Sequence, residues 1–238
     1  MAPPPLHTPT ELAQKGCLLE GMTQLLSDIE GDFLVVLHAD ADCANLVPRP
    51  SSAADPTRFY CTNLGEQDLI LGSSRERLQR LVRALDAHRP ARAIFVVGSC
   101  ATSLIGDDVE TAVAELQPGV ATPLIPVEMR AFRQSGQAAI IEGFTRHLGQ
   151  LAAPAVGESA PGINLIGFPE DDGELARLLV EAGLPVHATV TLRAPLDAWG
   201  ALGRGSRNVV SDARLFAGLL EHLAQQDIPW VEATSPWG

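Results

Sequence analysis

The chain has 238 residues, 46% of them apolar, enough for a sizeable core in one large or two small domains. Its 29 Asp and Glu outnumber 17 Lys and Arg, and the resulting charge of −12 argues against a nucleic-acid surface, where phosphates need clustered cations. No apolar run reaches the roughly 18 residues of a membrane span, and the N-terminus lacks a basic start before an apolar core, so neither a span nor a secretory signal is expected.

A cytoplasmic setting follows from that reading, and there four cysteines are expected as thiols and not as disulfides. Residues 1–12, MAPPPLHTPTEL, read as a Pro-rich tail leading into a helix near Thr10 or Glu11. In KGCLLEGMTQLLSDI, Leu18, Met22, Leu25, Leu26 and Ile29 recur with helical period, with Cys17 just before them. Phe33 to Leu37 is an apolar run of the kind a strand covered on both faces makes, and it leads into a loop carrying Cys43. LVPRPSSAADPT, from Leu46 to Thr57, reads as a surface loop.

Beyond Leu71, SSRERLQRLVRALDAHRP predicts a helix capped by Ser73 or Ser74, with Leu78, Leu81, Val82 and Leu85 on one face and Pro90 as its stop. Ala93 to Val97 is again a two-sided buried strand, with Cys100 at its carboxyl end. A short loop follows, and Asp107 and Asp108 open a helix to Leu116, where carboxylates suit the positive end of the macrodipole. Strand, helix and strand in this order imply a parallel sheet. TPLIPVEM adds a strand and FRQSGQAAIIEGFTRHLGQL a helix.

Ala152 to Gly162, poor in bulky apolar residues, is the best linker. After it come a strand at Ile163–Ile166, a loop at Gly167–Gly173, a helix from Glu174 closed by Gly183, and an alternating strand from Val186 to Leu192. A strand at Asn208–Val210 and a helix at Ala213–Leu223 complete the set. The expected organisation is a tail (1–12), an α/β domain (13–151), a linker (152–162) and a second α/β domain (163–238). Both domains are expected to be Rossmann-like, with mainly parallel sheets flanked by helices. Neither a G-x-G-x-x-G after a strand nor a G-x-x-x-x-G-K-[ST] occurs, so nucleotide binding by this chain is not expected.

Chemistry in open α/β sheets collects outside the carboxyl ends of the strands. Cys100 in that place is either a reactive or ligating thiol or a small buried hydrophobe, and the residue alone does not choose. Cys17, Cys43 and Cys100 all fall at the ends of elements, and thiolates select iron–sulfur clusters or zinc. No C-x-x-C pair supports either group.

Order and surroundings are more specific. GCLLEGMTQLLSDIEGDFLVVLHADADCA, FYCTNLGEQDLILGSSRERLQRLV and AIFVVGSCATSLIGDDVE, in that order, resemble the N-terminal region of nitrogenase component 1 proteins. That family includes nitrogenase catalytic subunits, their cofactor-assembly scaffold paralogues and dark-operative protochlorophyllide reductase subunits. INLIGFPEDDGELARLLVEAGLPV and the terminal IPW resemble its second domain.

The resemblance implies that Cys17, Cys43 and Cys100 are ligands of an iron–sulfur cluster, most simply of [4Fe–4S] type. It implies a homologous component 1 subunit or a second copy as partner, and a separate ATP-dependent iron–sulfur reductase as electron source. The implied function is electron relay in a nitrogenase-like oxidoreductase; the alternative is a non-catalytic scaffold holding a cluster or cofactor precursor. Cys61 stands where the family has a small hydroxyl residue, so a structural role is expected. His38 matches the family's histidine, but Ala39 and Asp40 replace the Gly-Pro pair that follows it. Asp40 and Asp42 are potential oxygen ligands or solvated carboxylates. Ser211 occupies the place of the cysteine that anchors the cofactor in catalytic subunits, and a hydroxyl is a poor soft-metal ligand. The family's subunits also continue past the point matching Gly238 into a third domain, so a cofactor held by this chain alone is not expected.

Overall fold

A computed structural model describes residues 17–46, 56–129, 136–152, 160–168, 173–203 and 205–233. The Pro-rich tail, and most of the 46–57 loop and of the 152–162 linker, lie outside the described residues. The fold is α/β, and the described residues fall into two compact units. One takes those within 12–28 and 32–144, the other those within 29–31 and 145–238.

The first unit is built on four parallel strands: β1 (Leu34–His38), β2 (Phe59–Cys61), β3 (Ile94–Gly98) and β4 (Leu124–Val127), in the order β2-β1-β3-β4. Parallel neighbours need long crossovers. Helices α1 (Leu18–Asp28), α2 (Ala41–Leu46), α3 (Glu66–Leu71), α4 (Ser74–His88), α5 (Cys100–Leu104), α6 (Val109–Leu116) and α7 (Gly136–Gly149) lie among the strands in chain order, the last of them crossing the boundary between the units.

β1 and β3 are buried at every position, as their unbroken apolar runs require. Leu34, Val36, Ile94 and Val96 form one face and pack with Leu78, Val82 and Leu85 of α4 and Val109, Val113 and Leu116 of α6. On the other face Phe95 meets Phe33 edge-on at 5.0 Å and Phe144 at 6.0 Å. Each such side chain, fully buried, contributes about 1.5–3 kcal/mol. The register sets His38 beside Gly98 and Leu37 beside Cys61, so three strands end at one level.

The second unit is likewise four parallel strands, β5 (Ala160–Ile166), β6 (Val186–Val190), β7 (Gly205–Val210) and β8 (Trp230–Glu232), in the order β6-β5-β7-β8. Its helices are α8 (Glu174–Glu181), α9 (Leu196–Gly200) and α10 (Ala217–Gln225). Ile163, Leu165 and Phe168 pack with Leu175 and Leu179 of α8. β6 alternates as expected for an edge: His187 and Thr189 are exposed while Val190 is buried. Inside, Asn164 Nδ2 donates to Asn208 Oδ1 at 3.0 Å, and Asn208 Nδ2 donates to the Leu202 and Pro229 carbonyls at 3.1 and 3.2 Å. Among the described residues, no helix is long and apolar enough to cross a membrane.

One expectation about helix starts changes and another is narrowed. Neither Ser73 nor Ser74 caps α4 through its hydroxyl: Ser73 Oγ donates to Asp68 Oδ1 at 2.7 Å and Ser74 Oγ to Asp107 Oδ2 at 2.6 Å. Asp107 does not cap α6 either. Asp108 does, accepting from Thr111 N at 3.0 Å, while Asp107 turns into the protein.

Candidate functional site

Two of the candidate thiols, Cys43 and Cys100, follow the carboxyl ends of β1 and β3. Cys17 is exposed immediately before α1, while Cys43 and Cys100 are partly buried. Cys43 does not sit in a loop, as the sequence reading expected, but in a short helix, and Cys100, expected at the end of a strand, opens another. Cys100 opens α5 behind Ser99, which caps the helix by accepting from Thr102 N. Cys43 lies in α2, and Asp40 Oδ1 accepts its backbone N–H at 2.8 Å. Asp40 thus fixes the turn where the family's Gly-Pro pair is missing. It also pairs with Leu64 in a parallel bridge beyond the ends of β1 and β2.

Cys43 and Cys100 are near enough to Cys17 for its charge to bear on both. The Cys43 thiol is pushed up to about 12 by burial, by the hydrogen bond and charge of Asp40, and by the charges of Cys17 and Cys100. Burial and then the charge of Cys17 push Cys100 up. The charge of Cys17 thus opposes ionisation of both Cys43 and Cys100. Burial opposes ionisation of Asp40, but hydrogen bonds from the Cys43 backbone and thiol hold it below the usual carboxylate range.

Cys61 is different. Its Sγ donates to the Ala39 carbonyl at 3.4 Å and accepts from Asn63 N at 3.2 Å. Burial raises it most, and the charge that bears on it is that of Asp40. Asp42 is exposed at the start of α2. Among the described residues, no three or more His, Cys, Asp and Glu side chains are gathered as one metal ion would require. A cubane cluster does not require that, because it offers each thiolate a separate iron. The donor set is sulfur alone, and the opposed ionisation of Cys43 and Cys100 is what a cationic iron–sulfur core would relieve. In that sense the residues fit such a cluster.

The sequence reads His38 most simply as a satisfied polar residue at a strand end, and so it is, but sequence reasoning missed its partner, Asp107. His38 is wholly buried, its Nε2 3.0 Å from Asp107 Oδ2 and its Nδ1 3.2 Å from Thr62 Oγ1. The His38 hydrogen bond is the main reason Asp107 is held down at about 2; burial works against it, and Ser74 and the charges of His38 and Arg75 add to it. Paired aspartates before a helix gave no hint that one of them turns inward.

In the second unit, β5 ends between β6 and β7, a topological switch point where α/β sheets open a crevice. A small pocket of about 70 Å³ lies there, lined by Gly167, Thr191, Leu192, Ser211, Asp212, Leu215 and Phe216. Ser211 Oγ donates to the Gly167 carbonyl at 2.6 Å. Its proton is committed, and the pocket is far smaller than a metal cofactor of many atoms needs.

Comparison with known proteins gives a consistent picture. The family model "Nitrogenase component 1 type Oxidoreductase" matches residues 17–238. The nitrogenase iron-molybdenum cofactor biosynthesis protein NifE of Sinorhizobium fredii is 28% identical over 191 residues, covering 75% of this chain and 38% of the relative. NifE of a Nostoc species is 27% identical over 232 residues, 92% of this chain and 48% of its own. The nitrogenase molybdenum-iron protein alpha chain of Methanothermobacter thermautotrophicus is 24% identical over 204 residues, 76% of this chain and 43% of its own. A solved structure titled "Nitrogenase Cp1 at pH 6.5" superposes with a TM-score of 0.68 at 19% identity, over 92% of this chain and 45% of that one, a likeness of fold. The chain therefore spans about half or less of the length of these relatives.

Proposed function

The chain belongs to the family of nitrogenase component 1 type oxidoreductases, and from that premise we propose that it is an iron–sulfur subunit of a nitrogenase-like assembly, with Cys17, Cys43 and Cys100 as cluster ligands. What supports the proposal is that Cys43 and Cys100 follow the carboxyl ends of the neighbouring strands β1 and β3, and that Cys17 is near enough for its charge to bear on both. When bound, a [4Fe–4S]-type cluster supplies one-electron transfer. The chain's own residues do the holding. Ser99 and Asp40 fix the two short helices that present Cys100 and Cys43, and Cys61 stays with the backbone of Ala39.

Three thiolates leave one corner of a cubane cluster unmet, so the reading includes a partner: a homologous component 1 subunit or a second copy of this chain. Electrons would come from an ATP-dependent reductase protein. Ile70, Leu71, Leu104 and Ile105 stand exposed on the cysteine-bearing unit, and uncovered side chains of this kind suit a protein assembly.

A second reading has its own support: a scaffold that holds a cluster or cofactor precursor without turnover. The relatives in Sinorhizobium and Nostoc are cofactor biosynthesis proteins, and Ser211 is bonded to the Gly167 carbonyl where catalytic subunits use a thiolate. Anaerobic purification with iron and acid-labile sulfide analysis and electron paramagnetic resonance tests what both readings share. Iron and sulfide with a signal on reduction are expected; protein that stays iron-free after anaerobic reconstitution would sink both. Reduction by an ATP-dependent reductase then separates relay from scaffold.

A further inference from the structure

The buried His38–Asp107 group connects with the turns that precede Cys43 and Cys100. The His38 ring meets Thr62 Oγ1 on one side, and that oxygen accepts the Ala39 N–H at 3.1 Å and lies 3.2 Å from the Ala39 carbonyl. Ala39 precedes Asp40, whose carboxylate caps the turn bearing Cys43. On the other side the His38 backbone carbonyl lies 3.5 Å from Thr102 Oγ1, which also accepts the Ser99 N–H at 2.9 Å. Ser99 and Thr102 frame the turn bearing Cys100.

Asp107 holds this arrangement from below. Its Oδ2 accepts from His38 Nε2 and from Ser74 Oγ, and its Oδ1 faces Arg75 Nε at 3.5 Å. An ionised carboxylate only accepts, so the proton of that bond sits on Nε2, and Nδ1 is left to face the Thr62 hydroxyl. The end of β1, the start of α4 and the segment between α5 and α6 meet at the Asp107 carboxylate, and the residue after β2 joins them through His38 Nδ1. Stability alone does not call for this: a buried charge pair is often replaceable by apolar side chains at no loss. Directional bonds to four segments do what apolar packing cannot.

The geometry points to His38 and Asp107 as a positioning pair that sets the turns carrying Cys43 and Cys100 relative to one another. The pair touches neither thiol. The inference rests on the reading that these thiols hold a cluster, but its first test does not need the cluster.

Cysteine by cysteine, the rate of iodoacetamide labelling of the metal-free full chain, read by mass spectrometry, reports how firmly each turn is held. In His38→Leu, Cys43 and Cys100 label about tenfold faster, as expected when a buried hydrogen-bond partner is lost and the local structure opens more often. Cys17, outside the network, keeps its rate. His38→Gln, which still offers an N–H toward Asp107, and Asp107→Asn fall in between. In anaerobically loaded protein the same variants shift the g-values or midpoint potential of the cluster, with His38→Gln closest to the parent. If His38→Leu does not fold, the two milder variants carry the comparison. Unchanged labelling of Cys43 and Cys100 in folded variants overturns the positioning role whatever the iron content. Parent protein without iron overturns the cluster reading, and the labelling rates still decide the role of the pair.

Discussion

Asp107→Asn removes the charge on which the buried network turns, and its effect follows from the structure. Asp107 is held at about 2 against an ordinary value of 3.8, chiefly by the hydrogen bond from His38. Each unit of such a gap is worth about 1.4 kcal/mol, so the ionised carboxylate contributes roughly 2 kcal/mol to folding at neutral pH. The folded value is the depressed one. The contribution is therefore complete above about pH 5, falls to about half near pH 3, and is lost below about pH 2. Urea unfolding of the parent and of Asp107→Asn at a series of pH values measures it. The variant should be less stable by about 2 kcal/mol at pH 7, and the gap should narrow steadily from about pH 4 downward. A gap of the same size at pH 7 and pH 3 would show that the loss is one of shape and not of charge, and would refute the reasoning.

Other outcomes follow from other parts of the molecule. Cys100→Ala should abolish the visible absorption of the anaerobically prepared protein and weaken its association while the chain stays folded, whereas Cys61→Ala, whose sulfur is tied to the Ala39 carbonyl, should do neither; absorption spectra and sedimentation check both. Gly167 has φ +75°, and a Cβ there would stand 2.4 Å from Phe216 Cε2 and 2.8 Å from Ser211 Oγ. Gly167→Ala should lower stability by more than about 2 kcal/mol in urea unfolding, since strain and a clash with a packed ring add. Asp40→Ala should cost about 1 kcal/mol through the lost cap on Cys43 N and reduce retained iron, while Asp40→Asn, which can still accept that N–H, should lose less of each; unfolding and iron analysis measure the two effects.

Much of the sheet was legible because strands covered on both faces leave an unbroken apolar run, as in Ala93–Val97, and an edge strand leaves alternation, as in Val186–Val190. The helix at Ser74–His88 was legible from Leu78, Val82 and Leu85. The short helices bearing Cys43 and Cys100 were not: six and five residues are too few to show a period. What fixes them is a side chain before each, Asp40 and Ser99, and Asp40 replaces residues of quite different chemistry. The His38–Asp107 pair spans 69 positions and two strand ends, and no local pattern records it. Of the two aspartates at 107 and 108, either could cap a helix; only the fold shows that Asp108 does and that Asp107 faces a buried imidazole.

The central claim is that Cys17, Cys43 and Cys100 hold a cluster whose coordination a partner completes. Anaerobic size-exclusion chromatography with iron measured across the profile tests it most directly. Iron and sulfide should elute with a dimer or larger assembly and be depleted from any monomer. A monomer carrying a full complement of iron, or no iron in any species after reconstitution, would contradict it.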